Sequence, residues 1–146
     1  MLASGWRLSG IFRAQSGDAL TITTGADRAL TGMQNQRPRQ VTDDPYGDRS
    51  LNNWFSPTAF AQPDLGTHGN AGRNAYEGPG KKTVNLSLVR AFPFGSQRIE
   101  ARIEAFNAFN WFQWGNPVTN FSSATFGRIL SADDPRILQF AMKYSF

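Results

Sequence analysis

Cysteine is absent from the 146 residues, which removes disulfide frameworks, thiol nucleophiles and thiolate metal sites together. Histidine occurs once, at His68, in the polar stretch GTHGN. No run approaches the roughly 18 consecutive apolar residues of a membrane-spanning helix. The opening MLASGWRLSGIF has neither the charged n-region nor the long apolar core of a signal peptide. Basic residues outnumber acidic ones by 15 to 11, for a net charge of +4, but Arg7, Arg13, Arg28, Arg73 and Arg98 are scattered singly. Nucleic-acid binding asks for basic residues clustered on one element, so no nucleic-acid partner is expected.

What the chain does have is alternation. In RILQFAMKYSF (136–146), Leu138, Phe140, Met142, Tyr144 and Phe146 are apolar at every second position, with Gln139, Ala141, Lys143 and Ser145 between them. Period two is what a strand needs when one face meets an apolar medium and the other meets water. The length matches the roughly 9–11 residues of a tilted strand that crosses a bilayer. The mean hydropathy of −0.43 is no obstacle, because a membrane barrel carries its apolarity on alternate residues only.

The same pattern recurs upstream. Trp6, Leu8, Phe12 and Ala14 share a face opposite Arg7, Ser9, Arg13 and Gln15, with Ile11 the exception. After the turn signal Ser16-Gly17-Asp18, a short strand is predicted over 19–24, with Leu20 and Ile22 opposite Thr21 and Thr23. Val84, Leu86 and Leu88 oppose Asn85 and Ser87, and the pattern decays near Arg90. Ile99, Ala101, Ile103 and Ala105 oppose Arg98, Glu100, Arg102 and Glu104, whose charges also alternate. Phe92-Pro93-Phe94-Gly95-Ser96 reads as a tight connection. Residues 25–80 and 111–135 read as long loops, the first without periodicity and too long for a structureless loop in a compact soluble domain.

The residues thus predict an all-β fold: an antiparallel meander of about five transmembrane strands with one very long loop. Val84, Leu86, Leu88, Ile99, Ala101 and Ile103 are the expected lipid-facing residues; Arg98, Glu100, Arg102 and Glu104 are expected to line a lumen. With the C-terminus on the periplasmic side, the turns at 16–18 and 93–97 fall on that side and the long loops fall outside, as outer-membrane barrels require. Phe92, Phe94, Tyr144 and Phe146 would form a periplasmic girdle. Trp6, Phe106, Phe109 and Trp111 would form an outer one around an aliphatic band.

Catalysis finds little support. Ser56, Asp64 and His68 can be grouped on paper, but loop proximity is not triad geometry. Glu100 and Glu104 resemble a carboxylate pair, yet ion pairing across strands with Arg98 and Arg102 explains them more simply. Asp43-Asp44 and Asp133-Asp134 each precede a proline, as turn residues do, and lack Ca-loop spacing. GNAGRNAYEGPG lacks the strand-then-helix context of a phosphate loop. Trp54, Phe55 and Phe60 are expected to pack the long loop onto itself rather than to meet ligand. No enzyme activity, cofactor or metal is expected. The rival reading is a secreted β-sandwich binding module of the carbohydrate-binding type, in which alternation reflects two packed sheets; a barrel with a surface or adhesion role is a third.

The stretches GWRLSGIFRAQSGDALTITTG (5–25), RSLNNWFSPTAFAQP (49–63), GRNAYEGPG (72–80), RIEARIEAFNAFN (98–110) and SSATFGRILSADDPRILQFAMKYSF (122–146) together resemble the C-terminal part of a TonB-dependent outer-membrane transporter of the Oar-like group. FNAFN resembles the Asn-Leu-Phe-Asn element of such receptors, with Ala108 in the Leu position. The resemblance implies that residues 1–146 belong to a barrel of about 22 strands with a plugged lumen, located in the outer membrane. It implies that plug and earlier strands lie elsewhere, so that Met1 is an internal or truncated start and the chain alone is not competent for transport. Leu138, Phe140, Met142, Tyr144 and Phe146 would be the signal read by the outer-membrane assembly machinery. The implied partners are outer-membrane lipid, that machinery, and the TonB complex only through the missing plug region. The outer loops carry no readable ligand code, so the transported substrate stays open.

Overall fold

The structure, a computed structural model, describes residues 4–146. In chain order its strands are β1 (Trp6–Gln15), β2 (Ala19–Leu20), β3 (Arg39–Gln40), β4 (Tyr46–Ser50), β5 (Asn53–Phe55), β6 (Phe60–Ala61), β7 (Tyr76–Glu77), β8 (Lys81–Phe94), β9 (Gln97–Phe106) and β10 (Ile137–Ser145), with one 3-10 turn at Pro57–Ala59. They fall into two compact units, one of residues 4–15, 81–113 and 133–146, the other of residues 16–80 and 114–132.

The first unit is one antiparallel sheet in the order β1-β8-β9-β10. It has four long strands, not about five. The predicted strand over 19–24 is not a member: only Ala19–Leu20 is extended, and it pairs with β7 in the other unit. Leu20 and Ile22 alternate with threonines because they feed the apolar centre of that second unit, and local alternation cannot say which core a residue serves. In its place β1 pairs directly with β8, from Trp6↔Arg90 to Gln15↔Lys81.

This register changes the order of the ends. Phe94 pairs with Gln97, leaving Gly95-Ser96 as a two-residue turn. Gly95 has φ of 61°, the positive value that a type II′ hairpin turn demands at its first central residue. Trp6 and Ser145 lie toward this turn end, since they pair with Arg90 and Arg98. Both long connections, 16–80 and 107–136, leave the opposite end, where Gln15 meets Lys81 and Phe106 meets Ile137. The turn signal at 16–18 therefore belongs to the long-connection end and not to the short-turn side expected for it.

β9 closes on Asn107, which has φ of 48° and is buried. Asparagine tolerates this left-handed backbone better than most residues. Its amide also holds the bend: Asn107 Nδ2 donates to the Trp111 carbonyl at 2.9 Å, and Trp111 N donates to Asn107 Oδ1 at 3.0 Å.

The second unit corrects the reading of 25–80 as an unstructured loop. It holds three two-stranded ladders, β2-β7, β3-β6 and β4-β5, around buried Ile22, Trp54, Phe55, Phe60, Tyr76, Phe126 and Ile129. The rings are in contact: Phe55 stacks on Phe126 at 6.2 Å, and Phe60 meets Tyr76 and Phe126 edge-on at 5.6 and 5.7 Å. Such pairs add about 0.5–1.5 kcal/mol each beyond the area they bury. Trp54, Phe55 and Phe60 thus pack the loop, as expected. Polar tips are satisfied as well: Trp54 Nε1 donates to the Glu77 carbonyl at 2.9 Å and Tyr76 Oη to Gln40 Oε1 at 2.8 Å. Burial raises the Tyr76 phenol above its ordinary value of 10.0.

Candidate functional site

The sheet has two chemically different faces, and the register defines them. Directly opposed residues share a face. Leu8↔Leu88, Leu88↔Ile103 and Ile103↔Phe140 run across all four strands. Phe12↔Val84, Leu86↔Ala105, Ala105↔Leu138, Ala101↔Met142 and Ile99↔Tyr144 lie on the same side. The apolar residues singled out in the sequence, Val84, Leu86, Leu88, Ile99, Ala101 and Ile103 together with Leu138, Phe140, Met142 and Tyr144, therefore form one continuous surface. Its edges lie open: Leu8 and Phe140 are 71 % exposed and Met142 76 %. A β-sandwich would bury this face against a second sheet.

Arg90 interrupts the apolar face, yet the strand runs on to Phe94 where the sequence pattern suggests decay. The guanidinium lies 4.8 Å from the Trp6 ring centroid and 4.6 Å from that of Phe92. A flat, weakly hydrated cation stacks well on aromatic faces, for about 0.5–2 kcal/mol depending on desolvation. Trp6 is thus placed toward the turn end with Phe92, Phe94 and Tyr144, which corrects its expected place at the far rim. Its partnership with Arg90 is not legible in the sequence, because the two are distant along the chain. Phe106 and Ile137 do sit at the far end, though on the side of Glu104.

On the opposite face Arg98, Glu100, Arg102 and Glu104 stand in one row. Their ion pairs run along β9 and not across strands: Arg98–Glu100 at 3.5 Å, Arg102–Glu100 at 3.3 Å and Arg102–Glu104 at 3.6 Å. The register leaves Glu104 and Arg102 without charged cross-strand neighbours, since Ser87 and Gln139 oppose the first and Val89 and Ala141 the second. Glu100 does face Lys143 on β10 but pairs with Arg98 and Arg102. Charges of alternating sign two residues apart on one strand satisfy each other. Arg7, Ser9, Asn85, Ser87, Gln139 and Lys143 continue this polar face. Val89 is its buried exception, flanked in register by Arg7 and Arg102, whose aliphatic stems are suited to cover it.

The catalytic groupings considered from sequence do not assemble. Ser56 Oγ bonds with Thr58 Oγ1 at 2.9 Å, and the Asp64 carbonyl accepts from Thr67; among the described residues no hydrogen bond joins Ser56, Asp64 and His68. The Asp44 carboxylate accepts from Tyr46 N at 3.0 Å, the local turn bond expected of an Asp beside a proline. No cluster of three metal-ligating side chains occurs among the described residues, and none of their helices is long and apolar enough to cross a membrane, which says nothing of strands. His68 instead faces a polar cleft of the second unit, beside Arg37 and Arg73.

A family model described as an outer membrane beta barrel domain matches residues 1–139. No curated protein and no solved structure matches the chain.

Proposed function

The chain belongs to the outer membrane beta barrel domain family and is located in the outer membrane, and from that premise we propose that it is the C-terminal segment of a TonB-dependent, Oar-like transporter barrel. The observation that carries the membrane half of this reading is the single apolar face running in register across four strands, backed by a charged face. Val84, Leu86, Leu88, Ile99, Ala101 and Ile103 meet lipid in this reading, and Arg98, Glu100, Arg102 and Glu104 line the lumen. β1 and β10 are the edges of the sheet, and even small barrels take about eight strands to close, so further strands of a parent protein complete the wall. The strand carrying Leu138, Phe140, Met142, Tyr144 and Phe146 is offered to the outer-membrane assembly machinery. TonB acts through a plug outside this segment, and the segment by itself neither transports nor catalyses. The specific support for the transporter group is the resemblance of the strand-end and C-terminal motifs.

Single cysteines at 101, 103, 102 and 104, placed in the membrane-embedded parent, test the facing. A lipid-soluble maleimide is expected to label 101 and 103, and a charged water-soluble one 102 and 104. The reverse pattern overturns it. The transport half is tested by site-directed cross-linking of the parent to TonB in cells. A properly inserted parent that gives no cross-link and keeps its function without TonB points to a surface or adhesion role.

A further inference from the structure

The second unit carries a cleft of about 630 Å3, inside the range of roughly 300–1,000 Å3 typical of small-molecule sites. Three stretches distant in sequence converge on it, bringing Thr21 and Thr23, then Arg37, then His68, Arg73 and Asn74 to one wall. Asn35, Gln36 and Gly69 complete the lining. Two guanidiniums and an imidazole thus share a polar cleft whose lining holds no carboxylate. The ion pairs found among the described residues all lie in the sheet unit, so neither Arg37 nor Arg73 is neutralised by an acidic side chain.

The walls are fixed by backbone, not by the cationic side chains. Thr24 N donates to the Gln36 carbonyl at 2.6 Å and Ala71 N to the Pro38 carbonyl at 3.1 Å. Asn74 N donates to Thr21 Oγ1 at 2.8 Å, and that hydroxyl donates to Asn74 Oδ1 at 3.0 Å. Gly69 lies so close to the carbonyls of Arg37 and Pro38 that a Cβ there would overlap them, which holds His68 next to Arg37. Behind the cleft Ile22, Ala71 and Tyr76 are buried in the aromatic core. The backbone around the cleft is thus held before a ligand arrives, while the side chains of Arg37, His68 and Arg73 are exposed and would be ordered on binding.

We propose that this cleft binds a small solute rich in carboxylate or phosphate oxyanions, gripped by Arg37 and Arg73 with His68 and Thr23 as further hydrogen-bonding groups. A guanidinium presents paired N–H donors in a plane that matches either oxyanion in bidentate fashion. The anion comes either from a free solute or from the phosphates of a lipid headgroup; the test separates the two. The inference rests on the geometry of the second unit and stands whether or not the parent is a transporter.

The test uses the full chain refolded in detergent, titrated calorimetrically with citrate, with pyrophosphate, with neutral maltose, and with detergent-dispersed anionic phospholipid. Saturable binding of citrate or pyrophosphate without binding of maltose is expected. Arg73→Gln should weaken it at least about tenfold, in keeping with the strength of charge-assisted hydrogen bonds, and Arg37→Gln similarly. Arg73 is exposed and its side chain makes no hydrogen bond among the described residues, so its variant reports on binding even if the Arg37 variant misfolds. Arg13→Gln, on β1 and outside the cleft, should leave affinity unchanged. Saturable, Arg73-dependent binding of the phospholipid alone assigns the anion to a headgroup. Absence of saturable binding by every anion, or binding that Arg73→Gln leaves intact, overturns the proposal.

Discussion

Ile103 and Glu104 are consecutive residues with opposite surroundings, the first paired with Leu88 and Phe140, the second with Ser87 and Gln139. A cationic residue on the lipid face near the bilayer midplane costs about 2–4 kcal/mol in such barrels. Ile103→Arg is therefore expected to lower the folding stability of the parent by about that amount. Glu104→Gln leaves Arg102 paired with Glu100 and should change stability far less. Urea unfolding of the parent in lipid vesicles measures both; equal losses would contradict the assigned faces. Arg90 marks the limit of this logic, because its charge lies on the apolar side but between two rings. Which residues alternate is legible one strand at a time; what makes an exception tolerable depends on a neighbouring strand, and Trp6 is not near Arg90 in sequence.

Among the elements, the long strands are the legible part, since a period of two sustained over many residues suits a two-faced strand and little else. β9 and β10 stand where the alternation puts them, and β8 is longer than its pattern because Arg90 interrupts the apolar series without ending the ladder. The ladders of the second unit are not legible. Five of their strands, β2, β3, β5, β6 and β7, are only two or three residues long, too short to show any period. The core residues Trp54, Phe55, Phe60, Tyr76 and Phe126 sit at no regular spacing, so only composition hints at a packed loop. The cationic cleft is hidden for the same reason, since Thr21, Arg37 and Arg73 meet only after these ladders form. At the C-terminal element, removing Phe146 from the parent is expected to reduce its level in the outer membrane severalfold. Leu65→Ser, at an exposed loop position, should leave it near normal. Immunoblots of outer-membrane fractions compare them, and equal levels would remove the special role of the terminal aromatic.

For the whole chain the decisive fact is an open sheet with an exposed apolar face. Unpaired edges and uncovered apolar side chains template pairing between molecules. Expressed alone and without detergent, the chain is expected to sediment as aggregate, and to become monodisperse only in detergent or denaturant. Light scattering and analytical ultracentrifugation decide this; a monodisperse monomer in plain buffer would mean that the apolar face is covered in some other way. The all-β class and the short turn between β8 and β9 are legible from the sequence, whereas the end at which 16–18 lies is not. The strand count is not, because the segment after β1 departs into a second unit and returns only at β8, so that neighbours in the sheet are not neighbours in the chain.

The aromatic core of the second unit also sets an order of events. Phe55 and Phe60 come from the stretch before β8, whereas Phe121, Phe126 and Ile129 come from the stretch after β9. The two stretches are joined by backbone bonds as well, from Trp54 N to the Gly127 carbonyl at 2.8 Å and from Ile129 N to the Leu51 carbonyl at 2.8 Å. Phe55 and Phe60 touch Tyr76 within their own stretch, but their contacts with Phe126 wait for the later one, and the whole β8–β9 hairpin is synthesised between the two. That hairpin, closed by its local two-residue turn, can form early, whereas contacts of such long sequence separation must wait for slow loop closure. Completion of this core is accordingly expected late, and a chain truncated after β9, lacking Phe126 and Ile129, is expected to be cleaved faster around Phe55 and Phe60 in limited proteolysis than the full chain.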